Sequence, residues 1–163
     1  MKRIKALALA GACLAAAVAA PAQAASTTFR VIVTVVERPQ CVINGNKPIE
    51  VDFGEIVVSR IDGNNYRTPI TYGLDCKGTE GRRLALTLAG TAAAFDSAAL
   101  RTTAEGLGIR LYADDQLLEV NSGSHAFDNQ ATPALYAVPV KQDDARLQGG
   151  AFTAGATLKV EYQ

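Results

Sequence analysis

The last segment of the chain alternates without interruption between two kinds of side chain. A mainly apolar set alternates with a mainly polar one: Phe152, Ala154, Ala156, Leu158, Val160 and Tyr162 against Thr153, Gly155, Thr157, Lys159 and Glu161. Because successive side chains of a β-strand point to opposite faces, this pattern predicts one half-buried strand over 152–162. About 11 residues span roughly 35 Å in a strand, and an unpaired terminal edge of that length would promote aggregation. The strand therefore needs a partner, either inside a complete β-sandwich or from another molecule.

The sequence after residue 24 consists of short β-like runs separated by Gly, Pro, Asn and Asp. We predict strands near 27–36, 41–44, 49–59, 66–76, 82–90, 106–113, 116–121, 134–142 and 151–162. The Ala-rich stretch 90–99 could form a loop or one helical turn. This pattern predicts an all-β fold, an immunoglobulin-like β-sandwich. Tryptophan is absent, so the large central anchor of many such sandwiches is missing and something else is expected to complete the core.

The N-terminus has the pattern of an export signal. Lys2, Arg3 and Lys5 precede an apolar Ala/Leu run that ends in Ala22-Gln23-Ala24, which suits a signal peptidase. The run is short and poor in large side chains, and no other stretch approaches the roughly 20 apolar residues of a spanning helix. We therefore predict a signal peptide over 1–24 and an exported mature chain about one domain in size.

Charge and cysteine content restrict the partners of the mature chain. The whole sequence has a formal net charge of 0, and removal of the basic signal leaves a slightly acidic protein, which argues against nucleic acid as a ligand. The mature chain keeps two cysteines, Cys41 and Cys76. In an oxidising compartment these are expected to pair. Two cysteines and one histidine leave a zinc site short of ligands, and we expect neither a metal nor another cofactor.

A second alternating segment precedes the first mature cysteine. One face would carry Thr27, Phe29, Val31, Val33 and Val35, and the other Thr28, Arg30, Ile32, Thr34 and Val36. Val, Ile and Thr favour strands, and the break at Glu37-Arg38-Pro39 separates the segment from Cys41, because Pro cannot continue a central ladder. The segment is either the first strand of the sandwich or a separate arm.

These features occur in an order that resembles one known family. The shared elements are the signal, the alternating arm, Arg38-Pro39-Gln40-Cys41, Ile49-Glu50-Val51-Asp52-Phe53-Gly54, Tyr66-Arg67-Thr68-Pro69-Ile70, Leu74-Asp75-Cys76, Gly150 fourteenth from the end and the penultimate Tyr162. The layout resembles the pilin subunits of chaperone–usher fimbriae, especially the minor or adaptor subunits of type 1 and P-like pili. The resemblance covers essentially the whole mature chain.

The resemblance implies an incomplete immunoglobulin-like sandwich, a pilin fold that lacks its last strand and is completed by a donated one. It implies a signal peptide at 1–24, an N-terminal donor-strand extension at 25–40 and a pilin domain at 41–163. The expected partners are a periplasmic pilus chaperone, the outer-membrane usher and neighbouring fimbrial subunits, with export through the periplasm to a surface fimbrium. Such assembly is β-augmentation, in which main-chain hydrogen bonds give affinity and alternate side chains give specificity.

The resemblance also assigns roles to residues. The donated face would be Thr27, Phe29, Val31, Val33 and Val35, although donor arms of the family often carry Gly where Val33 stands. The groove edge and chaperone-facing strand would comprise Gly150, Phe152, Ala154, Ala156, Leu158, Val160, Tyr162 and Gln163. The carboxylate of Gln163 would meet basic residues of the chaperone. Cys41 and Cys76 match the disulfide of the family, and Gly150 would relieve crowding or permit a bend before the last strand.

Other functions fit the sequence less well. His125 and its serine neighbours form an imaginable nucleophile–base pair, but a solvated loop histidine is the simpler interpretation, and no catalytic residues are expected. The pairs Asp114-Asp115 and Asp143-Asp144 are interpreted as turns. A fimbrial adhesin or receptor-binding tip module, with a ligand site around Tyr112 to His125, is the main alternative. A major shaft pilin or a terminator subunit is another.

Overall fold

The computed structural model describes residues 40–79 and 81–163, and within these ranges the secondary structure is almost entirely β. The strands are β1 (Gln40–Ile43), β2 (Thr68–Ile70), β3 (Leu74–Lys77), β4 (Arg83–Gly90), β5 (Ala92–Ala93), β6 (Asp96–Arg101), β7 (Leu107–Ala113), β8 (Gln116–Leu117), β9 (Ser124–Asp128), β10 (Leu135–Lys141) and β11 (Ala156–Tyr162). Short 3₁₀ turns cover Asn44–Asn46 and Val58–Arg60. Within the described ranges, no helix has the length and apolar character needed to cross a membrane. The strand predicted at 27–36 lies outside these ranges.

The strands form three antiparallel sheets. The largest has the order β2-β10-β7-β6-β5, with β8 also paired to β7. A second sheet has the order β11-β4-β9, and β1 pairs with β3 in the third. This arrangement confirms the all-β prediction.

The main core lies around the central strand of the second sheet. Three leucines of β4, namely Leu84, Leu86 and Leu88, are at most 2% exposed. They pack with side chains of the large sheet and of the β8–β9 segment, including Leu100, Ile109, Leu111, Leu118, Phe127 and Leu135. Full burial of one leucine stabilises the fold by roughly 1.5–3 kcal/mol. The run of apolar residues in β4 therefore sets the position of both neighbouring strands.

Several strand predictions were correct, namely those near 41–44, 82–90, 106–113 and 134–142. The strand predicted at 66–76 is divided in two, because β2 pairs with β10 whereas β3 pairs with β1 of a different sheet. The strand predicted at 116–121 is shorter and forms only β8. Beyond it, Leu118 and Val120 are buried in the core and at most 4% exposed, and the backbone makes isolated pairings there, with the N–H of Leu118 donating to the carbonyl of Leu111 and Val120 bridging Leu88.

The prediction of a loop or helical turn at 90–99 was wrong. This stretch forms β5 and most of β6, which pair with each other. The alanines are required by close packing, since Ala93 and Ala99 are buried with Val140 in a second apolar cluster. A Cβ built on Gly108 would lie 3.0 Å from the Cβ of Ala99. Small side chains thus bring β6 close to β7, a contact that strand propensity does not reveal.

Candidate functional site

The last strand lies at the margin of its sheet. On one side β11 pairs with β4, with Leu158 opposite Leu88 and Val160 opposite Leu86. Within 40–79 and 81–163, β4 is the one ladder partner of β11. An edge strand presents backbone N–H and C=O groups that another strand can bind. The second side of β11 is therefore a candidate binding edge.

The inward face of this edge is apolar and incompletely covered. Leu158, Val160 and Tyr162 lie on the core face but are only partly buried, whereas their partners on β4 are at most 2% exposed. The alternate residues Thr157, Lys159 and Glu161 are exposed. Adjacent strands of one sheet thus differ sharply in burial, as expected where a further strand would cover β11.

A second unpaired segment lies on the same part of the core. Ile49, Val51 and Phe53 are partly buried, and the intervening Glu50 and Asp52 are exposed. The pattern is that of a strand, yet this segment has no ladder partner within the described ranges. The prediction of a paired strand at 49–59 was therefore wrong, because alternation shows which face is apolar but does not supply a hydrogen-bonding neighbour.

Side-chain contacts lie at both ends of the space between these two segments, each involving one residue beyond them. The ring centroids of Phe53 and Phe152 are 6.1 Å apart. At the other end, the hydroxyl of Tyr162 lies 3.5 Å from Sγ of Cys41 and donates to it. These two contacts place the start of 41–53 near the end of 152–162 and the end of 41–53 near its start, an antiparallel arrangement that the 3₁₀ turn at Asn44–Asn46 interrupts. We call the space between 49–53 and β11, bounded by these two contacts, the β11 groove.

The structure shortens the C-terminal strand. The sequence predicted a ladder over 151–162, but β11 begins at Ala156. Before it, the backbone N–H of Thr103 donates to the carbonyl of Thr153 at 2.9 Å, and Ala154 bridges Thr102. Residues 153–154 thus bind the end of β6, in the large sheet, and the chain then crosses to the second sheet.

The predicted groove-edge residues are therefore not all equivalent. The structure places Phe152, Leu158, Val160 and Tyr162 against the core, whereas Ala154 and Ala156 are exposed. Gly150 has φ +155°, and a Cβ on it would meet nothing within 4 Å. This geometry fits the predicted bend and not the predicted relief of crowding. The backbone N–H of Gln163 donates to the carbonyl of Arg83 at 3.1 Å, so the final residue stays attached to β4.

The Cys41–Cys76 disulfide is present. The two residues are directly opposite in the β1–β3 ladder. Burial raises the pKa of Tyr162, whose hydroxyl contacts Cys41. The disulfide therefore holds β1 and β3 together at one end of the β11 groove. The predicted donor residues Thr27, Phe29, Val31, Val33 and Val35 all lie outside the described ranges.

The sequence suggested that His125 lies in a solvated loop, and the structure shows otherwise. His125 is part of β9, and its side chain is 11% exposed. Its Nδ1 lies 3.0 Å from Oε1 of Gln116 and its Nε2 lies 3.2 Å from Oδ2 of Asp114. Cross-strand packing explains its burial, since Leu86 of β4 lies opposite.

The two acidic pairs form turns, as predicted. Asp114-Asp115 links β7 to β8, and both residues have positive φ, 45° and 67°. Asp143-Asp144 forms the turn after β10, where Asp144 has φ 62°. Asp and Asn tolerate the left-handed region better than most residues. Turn geometry therefore accounts for Asp114, Asp115 and Asp144.

Comparison with known proteins assigns the family. The family described as fimbrial protein matches residues 28–163. This chain belongs to the fimbrial protein family. It is similar to two uncharacterized fimbrial-like proteins of Escherichia coli (strain K12): YfcQ, 39% identical over 135 residues that cover 80% of this chain and 83% of that protein, and YfcR, 36% identical over 129 residues that cover 77% and 74%.

Solved fimbrial structures have the same fold. The P pilus rod subunit PapA matches with a TM-score of 0.57 and 21% identity, over 76% of this chain and 99% of that one. The P pilus adaptor subunit PapF matches with a TM-score of 0.56 and 25% identity, over 76% of this chain and 95% of that one. The immunoglobulin-like pilin fold and the resemblance to chaperone–usher fimbrial subunits are thereby confirmed.

Proposed function

We propose that this fimbrial subunit is a structural minor or adaptor subunit of a chaperone–usher fimbria, which receives a strand in the β11 groove and donates its own segment 25–40. The observation that carries the proposal is the difference in burial between β4 and β11. Leu86 is fully buried, whereas Val160, directly opposite on β11, is only partly buried. A strand added to the free side of β11 would remove this difference.

Both components of strand addition are available in the groove. Main-chain groups of β11 supply hydrogen bonds, and the partly buried Leu158 and Val160 supply apolar contact. Completing the burial of such side chains contributes a fraction of the roughly 1.5–3 kcal/mol that each gives when fully transferred from water. The alternating set Thr27, Phe29, Val31, Val33 and Val35 has the chemistry that a similar groove in a neighbouring subunit would accept.

The partners follow from this proposal. A periplasmic chaperone would first lend a strand to the β11 groove and bind the carboxylate of Gln163. At the outer-membrane usher the arm of the next subunit would replace it, and the assembled fimbrium would support adhesion. The likeness to the adaptor subunit PapF motivates the minor or adaptor role, although the rod subunit PapA matches with a similar TM-score.

Substitutions on the two faces of β11 test the receiving role. Val160→Asp places a carboxylate on the apolar face, and the protein should no longer co-purify with the periplasmic chaperone or enter fimbriae, since an unpaired charge is costly to bury. Thr157→Asp adds the same charge on the exposed face and is the matched control, which should behave as the wild type. Normal incorporation of Val160→Asp would refute the receiving role.

Deletion of residues 25–36 tests the donating role. The truncated subunit should still bind the chaperone and fold, because β11 and its groove are unchanged. It should fail to anchor in the next subunit, so fimbriae should lack it at its usual position. Fimbriae that contain the truncated subunit in normal amount and position would refute the donor assignment.

A receptor-binding role keeps one supporting observation. Four residues form a row across adjacent strands, Pro69, Tyr136, Tyr112 and Leu117, and Leu117 is 37% exposed. The guanidinium of Arg67 lies over the Tyr136 ring at 4.0 Å. Tyrosine and arginine are enriched in binding surfaces. Specific binding of a glycan or host protein that is lost in Leu117→Ser would favour this alternative.

A further inference from the structure

The outward face of the large sheet carries a row of aromatic and apolar side chains. The sequence neighbours of Tyr112 and Tyr136 are buried in the core, so these two tyrosines point away from it. They lie directly opposite each other, and the row continues to Leu117 of β8 on one side and Pro69 of β2 on the other. Four adjacent strands span roughly 14 Å, which is three ladder spacings. We call these four residues the outer platform.

Two charged side chains stand beside the outer platform. The guanidinium carbon of Arg67 lies 4.0 Å from the centroid of the Tyr136 ring and 5.4 Å from that of Tyr112. Nη2 of Arg67 donates to Oδ1 of Asp115. The side chain of Arg67 is 34% exposed and that of Asp115 83%, so both keep groups that can bind a ligand. Because the guanidinium lies closer to Tyr136, the more open part of the platform is Tyr112 with Leu117.

The turn that carries Asp115 is fixed from two sides. The backbone N–H of Asp114 donates to the carbonyl of Ala134 at 2.9 Å, and the N–H of Ala134 donates to Oδ1 of Asp114 at 2.8 Å. The other carboxylate oxygen of Asp114 lies 3.2 Å from Nε2 of His125, which belongs to the second sheet. Asp115 is therefore held in place before a ligand arrives, which lowers the entropic cost of binding.

These groups match the two chemical sides of a sugar ring. A pyranose has apolar C–H faces and a rim of hydroxyl groups. The C–H face can pack on the Tyr112 ring and on Leu117, whereas each hydroxyl both donates and accepts a hydrogen bond. The carboxylate of Asp115 accepts and the guanidinium of Arg67 donates, so the pair can bind neighbouring hydroxyls. A charged ligand would be repelled by one member of this pair, and a neutral sugar by neither.

We propose that the outer platform is a binding site for a neutral oligosaccharide, with one sugar ring stacked on Tyr112 and its hydroxyls bound by Arg67 and Asp115. This inference goes beyond the proposed structural role. The two are separable, because the platform belongs to the sheet β2-β10-β7-β6-β5 with β8, whereas the receiving strand belongs to the sheet β11-β4-β9.

The test measures binding of the mature chain to an array of oligosaccharides. The array holds neutral oligosaccharides of glucose, galactose and mannose, together with sialylated and sulfated ones. We expect binding to neutral oligosaccharides only. In saturation-transfer NMR with the neutral oligosaccharide that binds most strongly, the C–H protons of one ring face should give the strongest signals, because they pack on an aromatic ring.

Matched substitutions assign the binding to the platform. Tyr112→Ala removes the ring and should weaken binding at least about tenfold, whereas Tyr112→Phe keeps the ring and should bind within about twofold of the wild type. Asp115→Asn removes the charge and should also weaken binding at least about tenfold. Asn tolerates the same left-handed backbone, so this variant decides the case if Tyr112→Ala fails to fold. Asp143→Asn changes an exposed carboxylate in the turn after β10 and should bind as the wild type does.

The contrary outcomes are distinct. A lack of binding to every neutral oligosaccharide, or binding restricted to the sialylated and sulfated ones, would overturn the proposal. Binding that survives both Tyr112→Ala and Asp115→Asn would overturn this location for the sugar. Self-association of the chain that is lost in Leu117→Ser, without sugar binding, would identify a second copy as the occupant. None of these outcomes affects the receiving role, which Val160→Asp tests separately.

Discussion

Removal of the disulfide should cause a large and calculable loss of stability. Cys41 and Cys76 are 35 residues apart in sequence, and closing a loop of that length restricts the unfolded chain by roughly 4 kcal/mol in the chain-entropy model. The double variant Cys41→Ala/Cys76→Ala should lose about this amount of unfolding free energy. Single domains have only about 5–15 kcal/mol in total.

The location of the bridge adds a local effect. Sγ of Cys41 accepts the hydroxyl of Tyr162 at 3.5 Å, so the variant also loses a contact at the end of β11. Sulfur is a weak acceptor, and this contact contributes well under about 1 kcal/mol beside the loop term. The loss of unfolding free energy in the double variant should therefore come mainly from the freer unfolded chain, and its fold should be unchanged.

Urea unfolding provides the measurement. The mature chain with a complementary donor strand appended after Gln163 gives a monomer whose transition can be followed by circular dichroism. Wild-type protein kept in reductant is the control, because it should unfold at the same urea concentration as the double variant. A loss below about 1 kcal/mol would refute the reasoning, since it would mean that the bridge does not restrict the unfolded chain as the loop length requires.

Two further predictions concern one partly buried hydrogen bond and one close contact between strands. Tyr72→Phe removes the hydrogen bond of the hydroxyl to the carbonyl of Pro133 at 2.7 Å and should cost about 1 kcal/mol at pH 8 in urea unfolding. Burial raises the pKa of Tyr72 from 10 to about 12. The neutral Tyr72 therefore stabilises the fold fully below pH 10, and this stabilisation, about 1 kcal/mol after screening, is lost as the pH rises towards 12. If the free energy of unfolding of Tyr72→Phe declined just as steeply at alkaline pH, this reasoning would be refuted. Gly108→Ala should cost about 1–3 kcal/mol, because its Cβ would lie 3.0 Å from that of Ala99. Gly149→Ala, with nothing within 4 Å, should leave the thermal midpoint unchanged, and equal midpoints for both variants would contradict the packing.

Strands rich in apolar residues were predictable, because apolar residue types by themselves indicate burial. The run around Leu84 and Leu86 was identified as a strand, and β4 has almost the predicted bounds. Segment 90–99 was not identified as strands. Alanine has no preference for the extended conformation, and the pairing of this segment depends on the space beside Gly108. His125 was misplaced for a similar reason, since only the register of β9 against β4 shows that its side chain is largely buried.

By itself the sequence determined the fold class, the disulfide pair and the presence of an apolar face on the last strand, because hydrophobic periodicity and cysteine count depend on residue identity alone. The tertiary structure decided which alternating segments obtain a ladder partner. It leaves 49–53 and one side of β11 unpaired within the described ranges, and it brings Phe53 and Phe152 together from opposite ends of the domain. Pairing and ring contact depend on distances between residues far apart in the chain, and these exist only after the sheets have packed.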